Sequence, residues 1–373
     1  MKVSKRIGQN CARLFVTAMV MFSLMAGFTT PAFAAPQNTV GAVYTLSNAA
    51  NGNSVLVYER STNGSLALQG SYSTGGLGSG ASLGSQSALV LSQNNHWLFA
   101  VNAGSNQISA FAVSSNGLAL MEVVDSGGVK PVSLTTYKDW LYVLNAGGTG
   151  NISGFAIGQD GSLSAIAGST QPFSNSGVGA APGVGQIAFN SEGSALVVTE
   201  KTTNLLDTYQ VINGVAEAPA THASAGAVPF GFAFDRHNHA IVSEASGSVS
   251  AYQVAGGNFN VISPAVVNTQ VAACWIAISN NGKFAYTTNA GSGTISSYTI
   301  ADDGSLSLLN AVAGSTGAGS SPVDMAFSNN GGYLYALSAA AHTISIFQMS
   351  ASGGLISLGS VSVPAGVVGL AAQ

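Results

Sequence analysis

Apolar positions along the chain follow one recurring figure: a β-branched residue or Leu, two intervening positions, then Phe or Tyr. It occurs at Val55 and Tyr58, Ile108 and Phe111, Ile152 and Phe155, Leu206 and Tyr209, Val249 and Tyr252, Ile295 and Tyr298, and Ile344 and Phe347. The aromatic members lie roughly 43 to 54 positions apart, the period of a four-stranded propeller blade. Ahead of each stands a strand-like run: 43–47, 97–102, 141–145, 196–200, 240–244, 284–289 and 334–338. After each comes a glycine leading into an apolar residue, at Gly64, Gly117, Gly161, Gly214, Gly257, Gly304 and Gly354. Asn63-Gly64, Asp160-Gly161 and Asp303-Gly304 favour tight hairpin turns, because glycine takes positive φ without steric cost.

Each unit reads as inner strand, turn, second strand, loop, third strand, glycine turn, outer strand. Blades packed face to face cover both faces of every sheet, so apolar and small residues fill successive positions instead of alternating. The predicted fold is all-β: a seven-bladed β-propeller of four-stranded antiparallel blades. The propeller pattern opens on a second strand, 43–47. Its last segment, 366–370 (Gly-Val-Val-Gly-Leu), resembles the inner strands at 186–189 and 275–278. The C-terminal strand is therefore expected to pair with the N-terminal blade and close the ring, which removes a sheet edge.

The first 34 residues follow a different rule. Lys2, Lys5, Arg6 and Arg13 form a basic front, 14–28 an apolar stretch, and Ala32-Phe33-Ala34 a small-x-small site. That order marks a cleaved secretory signal. The expected product is a single propeller domain, 35–373, secreted to the periplasm or the medium after cleavage near Ala34. The apolar stretch is short for a bilayer span, and membrane insertion is not expected.

The signal takes four of the 10 basic residues, leaving six against 14 acidic ones, a formal charge of −8. Arg60 and Arg236 are the remaining arginines. Nucleic acid and anionic membrane surfaces need clustered bases and are excluded as partners. Phosphorylated ligands are disfavoured, since no arginine pair or phosphate loop is present. Cys274 is then the sole cysteine. No internal disulfide is expected, and a monomer of this length can bury enough core without one.

The run Phe284–Asn289 (Phe-Ala-Tyr-Thr-Thr-Asn) follows Asn281-Gly282-Lys283. With 197–204 (Val-Val-Thr-Glu-Lys-Thr-Thr-Asn), 229–232 (Pro-Phe-Gly-Phe) and 273–275 (Ala-Cys-Trp), it resembles the lactonase-type seven-bladed propeller family. That family includes bacterial 6-phosphogluconolactonase and fungal 3-carboxymuconate cyclase. The likeness covers essentially the whole mature chain. It implies the propeller fold and the hydrolysis or cyclisation of a small lactone or carboxylate. Characterised enzymes of the family carry Pro-Arg-His before an inner strand, where this sequence reads Pro182-Gly183-Val184-Gly185-Gln186. Their Asn-Glu corresponds to Thr199-Glu200-Lys201, and a later Arg to Asn289-Ala290. Of these groups the glutamate is retained.

Glu200 and Glu244 end second strands, where other blades have Asn102, Asn145 and Asn289. Such strand ends meet the loops through which propellers present ligand groups. Two carboxylates there act as acid and base, or cap backbone donors as the asparagines would. Lys201 stabilises an oxyanion or a substrate carboxylate, or is a solvated surface lysine. Trp275 offers a ring for stacking near the channel mouth. The adjacent Cys274 has no evident base to activate it. His237 and His239, in Asp235-Arg236-His237-Asn238-His239, stand where other units carry an Asn-Asn-Gly turn, and read as a polar turn. No three-ligand spacing appears, so neither a metal nor another cofactor is expected. The expected catalytic residues are Glu200, Lys201 and Glu244, with Trp275, Asn102, Asn145 and Asn289 binding the ligand. Two functions stay open: a lactonase-like hydrolase or cyclase acting on a small unphosphorylated lactone or carboxylate, and a non-catalytic secreted binding or scaffold propeller.

Overall fold

The computed structural model describes residues 39–255 and 257–373, so the expected signal segment lies outside the described residues. Those residues form seven antiparallel sheets, blades 1 to 7 in chain order beginning with the one that holds Thr39–Leu46, and no helix. Blade 6 is representative: Ala273–Ile278 is innermost, followed outward by Phe284–Asn289, Thr294–Ile300 and Leu306–Ser315. Blade 4 departs from four simple strands, because its outer edge is split into Val215–Ala216 and Ala220–Ala223, both paired with Leu205–Ile212. Each inner strand touches the inner strands of the two neighbouring blades, and the series returns to its start.

The recurring apolar figure lies on the third strand of each blade, and all fourteen of its residues are at most 4% exposed. Positions three apart on a strand point to opposite faces. The figure therefore places its branched residue against one neighbouring blade and its ring against the other. That is why one blade cannot bury its apolar surface alone.

The glycine turns lock blade to blade. A Cβ at Gly161 would lie 2.5 Å from the Trp97 ring of the preceding blade. Gly214 stands likewise against Trp140, Gly304 against His239, Gly353 against Phe284, and Gly64 against Tyr333. All five have φ near +80°, where only glycine sits freely. In the last blade it is Gly353, not Gly354, that takes this conformation. Tyrosines two positions into the same second strands add hydrogen bonds: Tyr142 donates to the Gly214 carbonyl, Tyr286 to Gly353 and Tyr335 to Gly64.

The ring closes as the sequence predicts. Val368–Ala372 pairs antiparallel with Thr39–Leu46, with Val43 opposite Ala372 and Leu46 opposite Val368. Arg60, 2% exposed, seals the seam: its Nε donates to the Gln373 carbonyl at 3.0 Å and Nη2 to the Val40 carbonyl at 3.2 Å. The Asp235–His239 segment is a turn. Asp235 accepts the backbone N–H groups of His237 and His239 and holds His239 Nδ1 at 2.7 Å. His239 thereby supplies the ring under Gly304 that Trp97 supplies under Gly161.

Candidate functional site

Second strands end at Asn145, Glu200, Glu244, Asn289 and Ser338, opposite the first residues of the inner strands, Pro131, Val184, Pro229, Ala273 and Pro322. Strand ends and strand starts thus share one face of the ring, and the predicted site residues belong to that face. Most of their side chains turn into the blades. Asn102 accepts hydrogen bonds from Asn53 and Thr74 and donates to Ser109, at 2.7–3.0 Å. Asn289 accepts from Asn268 and donates to Thr294 and Ser296. Asn145 Nδ2 donates to Asn151 Oδ1 at 2.8 Å, while its buried Oδ1 has no partner. These three asparagines splice a second strand to neighbouring strands and loops, and Asn102 also ties blade 2 to blade 1.

Glu244, fully buried, accepts from the Ser248 and Ser250 hydroxyls and the Gly226 N–H. Burial nevertheless pushes its pKa up. Glu200, also fully buried, accepts from the Ser174 hydroxyl at 2.7 Å and the Thr203 hydroxyl at 2.6 Å. The Ser174 N–H lies 3.0 Å from both Glu200 Oε1 and Asp207 Oδ2. Two ionised carboxylates do not share one donor at that range. Burial first, then the hydrogen bond and charge of Glu200, raise the Asp207 carboxyl to about 7.

The channel axis is occupied by residues 85–87, which lead into the inner strand of blade 2. Ser85 donates to the Val132 carbonyl in blade 3 at 2.8 Å, and its own carbonyl accepts Trp275 Nε1 from blade 6 at 3.0 Å. Gln86 N–H reaches the Gly185 carbonyl in blade 4. The Gln86 side chain pairs with both the N–H and the C=O of Ile276, at 3.0 and 2.7 Å. A Cβ at Gly231 in blade 5 would fall 2.1 Å from Gln86 Oε1, so that glycine makes the room. Ser87 N–H donates to Asp324 in blade 7 at 3.2 Å. Three successive residues reach five blades only from the axis, so this segment is a plug.

Beside the plug a cleft of about 200 Å³ opens between residues 80–85, Trp275, Val323, Asp324, Ala339 and the closing segment 366–369. Trp275 is held edge and face, by the Ser85 carbonyl and by Phe230 at 4.7 Å between ring centroids. Asp324 is 2% exposed and accepts the N–H groups of Ser87, Met325 and Leu370. Burial outweighs those three donors and raises its carboxyl to about 7.

Lys201 meets the same loop one residue before Ser85. Its Nζ donates to the Gly84 carbonyl at 2.5 Å and lies 4.6 Å above the Phe230 ring. Burial lowers it to about 8. Cys274 is buried and its thiol is pushed up to about 12, again by burial, which suits packing and not nucleophilic attack.

Of the residues singled out from sequence, the structure brings Lys201 and Trp275 together on the adjacent Gly84 and Ser85 carbonyls and the Phe230 ring. Glu200, Glu244 and the three asparagines do not join them, because serine, threonine, asparagine and backbone partners hold them between strands and loops. Sequence reasoning missed Asp324, Gln86 and Asp207. A signal for Asp324 exists: it lies two positions beyond Pro322, as Trp275 lies two beyond Ala273 and Gln186 two beyond Val184. That register meets the plug in blades 6 and 7, while Gln186 accepts the Phe232 N–H of blade 5.

The Lactobacillus plantarum protein of known structure superposes with a TM-score of 0.73 at 16% identity, covering 90% of this chain and 100% of that one. A Bacteroides fragilis protein assigned as a 6-phosphogluconolactonase gives 0.70 at 20% identity, with 89% and 98% covered. The periplasmic gluconolactonase of Pseudomonas aeruginosa gives 0.68 at 17% identity, with 87% and 98% covered. These likenesses speak to the fold. No curated protein sequence matches the chain. The model of the family described as lactonase, 7-bladed beta-propeller, matches residues 71–369. Blades, closure and sequence match together place the chain in the seven-bladed β-propeller lactonase family.

Proposed function

We propose that residues 35–373 act after export as one propeller domain that opens a small unphosphorylated lactone with water, in the cleft beside the plug. The observation that carries this reading is Asp324, a buried carboxyl with a pKa of about 7 lining that cleft. Three N–H groups occupy three of its roughly four acceptor sites and leave one for a water molecule. The carboxylate takes a proton from water as the water oxygen bonds the acyl carbon. The ring C–O bond then breaks, and the departing oxygen takes that proton back, which leaves a hydroxy acid. A group titrating near neutrality suits both transfers. The reverse closure of a hydroxy acid uses the same groups.

Charge placement supports an unphosphorylated substrate. Arg60 is committed to the ring seam, Arg236 lies in the turn after Phe234, and neither they nor any lysine lines the cleft. Export rests on the basic, apolar and small-x-small order of the first 34 residues.

Binding without turnover is the second reading. It is favoured by the fixed N–H cradle around Asp324, which also suits a purely structural acid. A panel of lactones titrated against the purified protein separates the two. Turnover that falls at least 100-fold in Asp324→Asn, at an unchanged melting temperature, fits a lost general base. Absence of turnover on every lactone rules out the enzyme and leaves the binding reading.

A further inference from the structure

The chemistry of the cleft wall narrows the substrate, given the hydrolytic reading above. We infer that the lactone accepted here carries an apolar alkyl arm and is not a polyhydroxylated sugar lactone. The wall offers hydrocarbon: Leu83, Trp275, Val323 and Val367 line it, and between them lie glycine and alanine. Its buried polar side-chain atoms, Asp324 apart, are already engaged. The Ser85 hydroxyl donates to the Val132 carbonyl and Trp275 Nε1 donates to the Ser85 carbonyl; the Ser82 hydroxyl, at the exposed rim, accepts the Gly84 N–H and is the side-chain donor left to a ligand. On the closing strand, the Gly369 carbonyl accepts the Thr45 hydroxyl at 2.8 Å. Asp324 keeps one acceptor site, which the hydrolytic water takes.

A sugar lactone entering this space gives up the water bonded to each of its hydroxyls and meets few free partners. Hydroxyls buried without partners are strongly disfavoured. An alkyl arm gives up nothing and gains about fourfold in binding for each methylene it buries. The wall is also preformed: the indole is pinned at its nitrogen and against Phe230, and residues 85–87 are tied to five blades. A rigid apolar wall discriminates by arm length, since it does not reshape around a polar ring. A volume of about 200 Å³ is compact for a small-molecule site and suits one small ring with its arm better than a large ligand.

The test compares kcat/KM for γ-butyrolactone, γ-decalactone and glucono-δ-lactone with the full protein. The six-carbon arm of γ-decalactone should raise kcat/KM at least 100-fold over γ-butyrolactone, and glucono-δ-lactone should fall below both. Val323→Ser should lower the decalactone-to-butyrolactone ratio about tenfold. Glucono-δ-lactone turned over as well as γ-decalactone overturns the inference while leaving the hydrolase in place. If none of the three is hydrolysed, the hydrolase reading fails. Calorimetry of γ-decalactone with Asp324→Asn then judges the apolar site separately: heat of binding supports it, and its absence overturns it.

Discussion

Tyr335 in the last blade donates its phenolic O–H to the carbonyl of Gly64 in the first, at 3.0 Å across 271 positions of sequence. The same bond joins Tyr142 to Gly214 and Tyr286 to Gly353, each linking a blade to the one that follows it. The seam where the ring closes is therefore built by the contact that joins ordinary neighbours. Head and tail of the domain meet as one more blade interface, and the strand from the C-terminus completes the sheet behind it.

Tyr335→Phe removes the donor and leaves the buried Gly64 carbonyl without its partner, which should cost about 1–2 kcal/mol. Gly64→Ala should cost more, about 3 kcal/mol. Its φ is +83°, and the added Cβ would sit 2.4 Å from the Tyr333 ring, so strain and overpacking combine. Urea unfolding of the two variants checks both the size and the order. A Gly64→Ala protein as stable as Tyr335→Phe contradicts the tight blade contact.

Removal of residues 364–373 deletes the strand opposite Val43, Tyr44 and Leu46 and the Gln373 carbonyl that Arg60 binds. It leaves a long sheet edge open and a buried guanidinium without that partner. The whole domain should lose stability and tend to associate, because every blade leans on two neighbours. Thermal melting with light scattering reads both effects. A truncated protein that melts like the intact one removes closure as a source of stability.

What the sequence made legible follows from where the pattern is enforced. Val55 and Tyr58, and their counterparts in six further blades, are buried on opposite sheet faces, so packing admits few alternatives at those positions and the repeat stands out. The site is set by different forces. Glu200 ends a strand as its spacing predicts, yet its direction is decided by Thr203 in the turn that follows, by Asp207 on the next strand and by Ser174, 26 positions earlier. Asp324 gains its meaning from Ser87, a residue 237 positions away that arrives only when the plug folds across the axis. Local spacing carries the register of a strand. It does not carry which distant loop will fill the space in front of it.

The plug itself depends on Gln86, whose amide satisfies both backbone groups of Ile276 at the axis. Gln86→Ala strands those two buried groups and empties the centre of the ring. About 3 kcal/mol of stability should be lost, from unsatisfied polar groups and from the cavity. The cleft wall at 80–85 belongs to the same loop, so binding of an alkyl lactone should weaken along with stability. Denaturant titration and calorimetry on the variant measure the two together. Loss of neither means the plug is held without this side chain.

Stability and activity should respond to pH in opposite directions, and Asp324 explains both. Asp207 and Asp324 are raised to about 7, and Glu244 is raised as well, each chiefly by burial. Between about pH 4 and 7 the folded protein keeps protons that the unfolded chain has released, so unfolding becomes easier as pH climbs through that window. Asp160 and Asp303 are shifted the other way, but they sit in exposed turns where solvent screens the effect. The melting temperature should therefore be higher at pH 5 than at pH 7.5, and Asp207→Asn should flatten the profile. The general base, by contrast, works only once Asp324 has lost its proton, so kcat/KM for lactone hydrolysis should rise as pH passes through about 7. A melting temperature that climbs from pH 5 to 7.5 contradicts the buried neutral carboxyls. A rate that is flat across pH 6 to 8 removes Asp324 from the role of base.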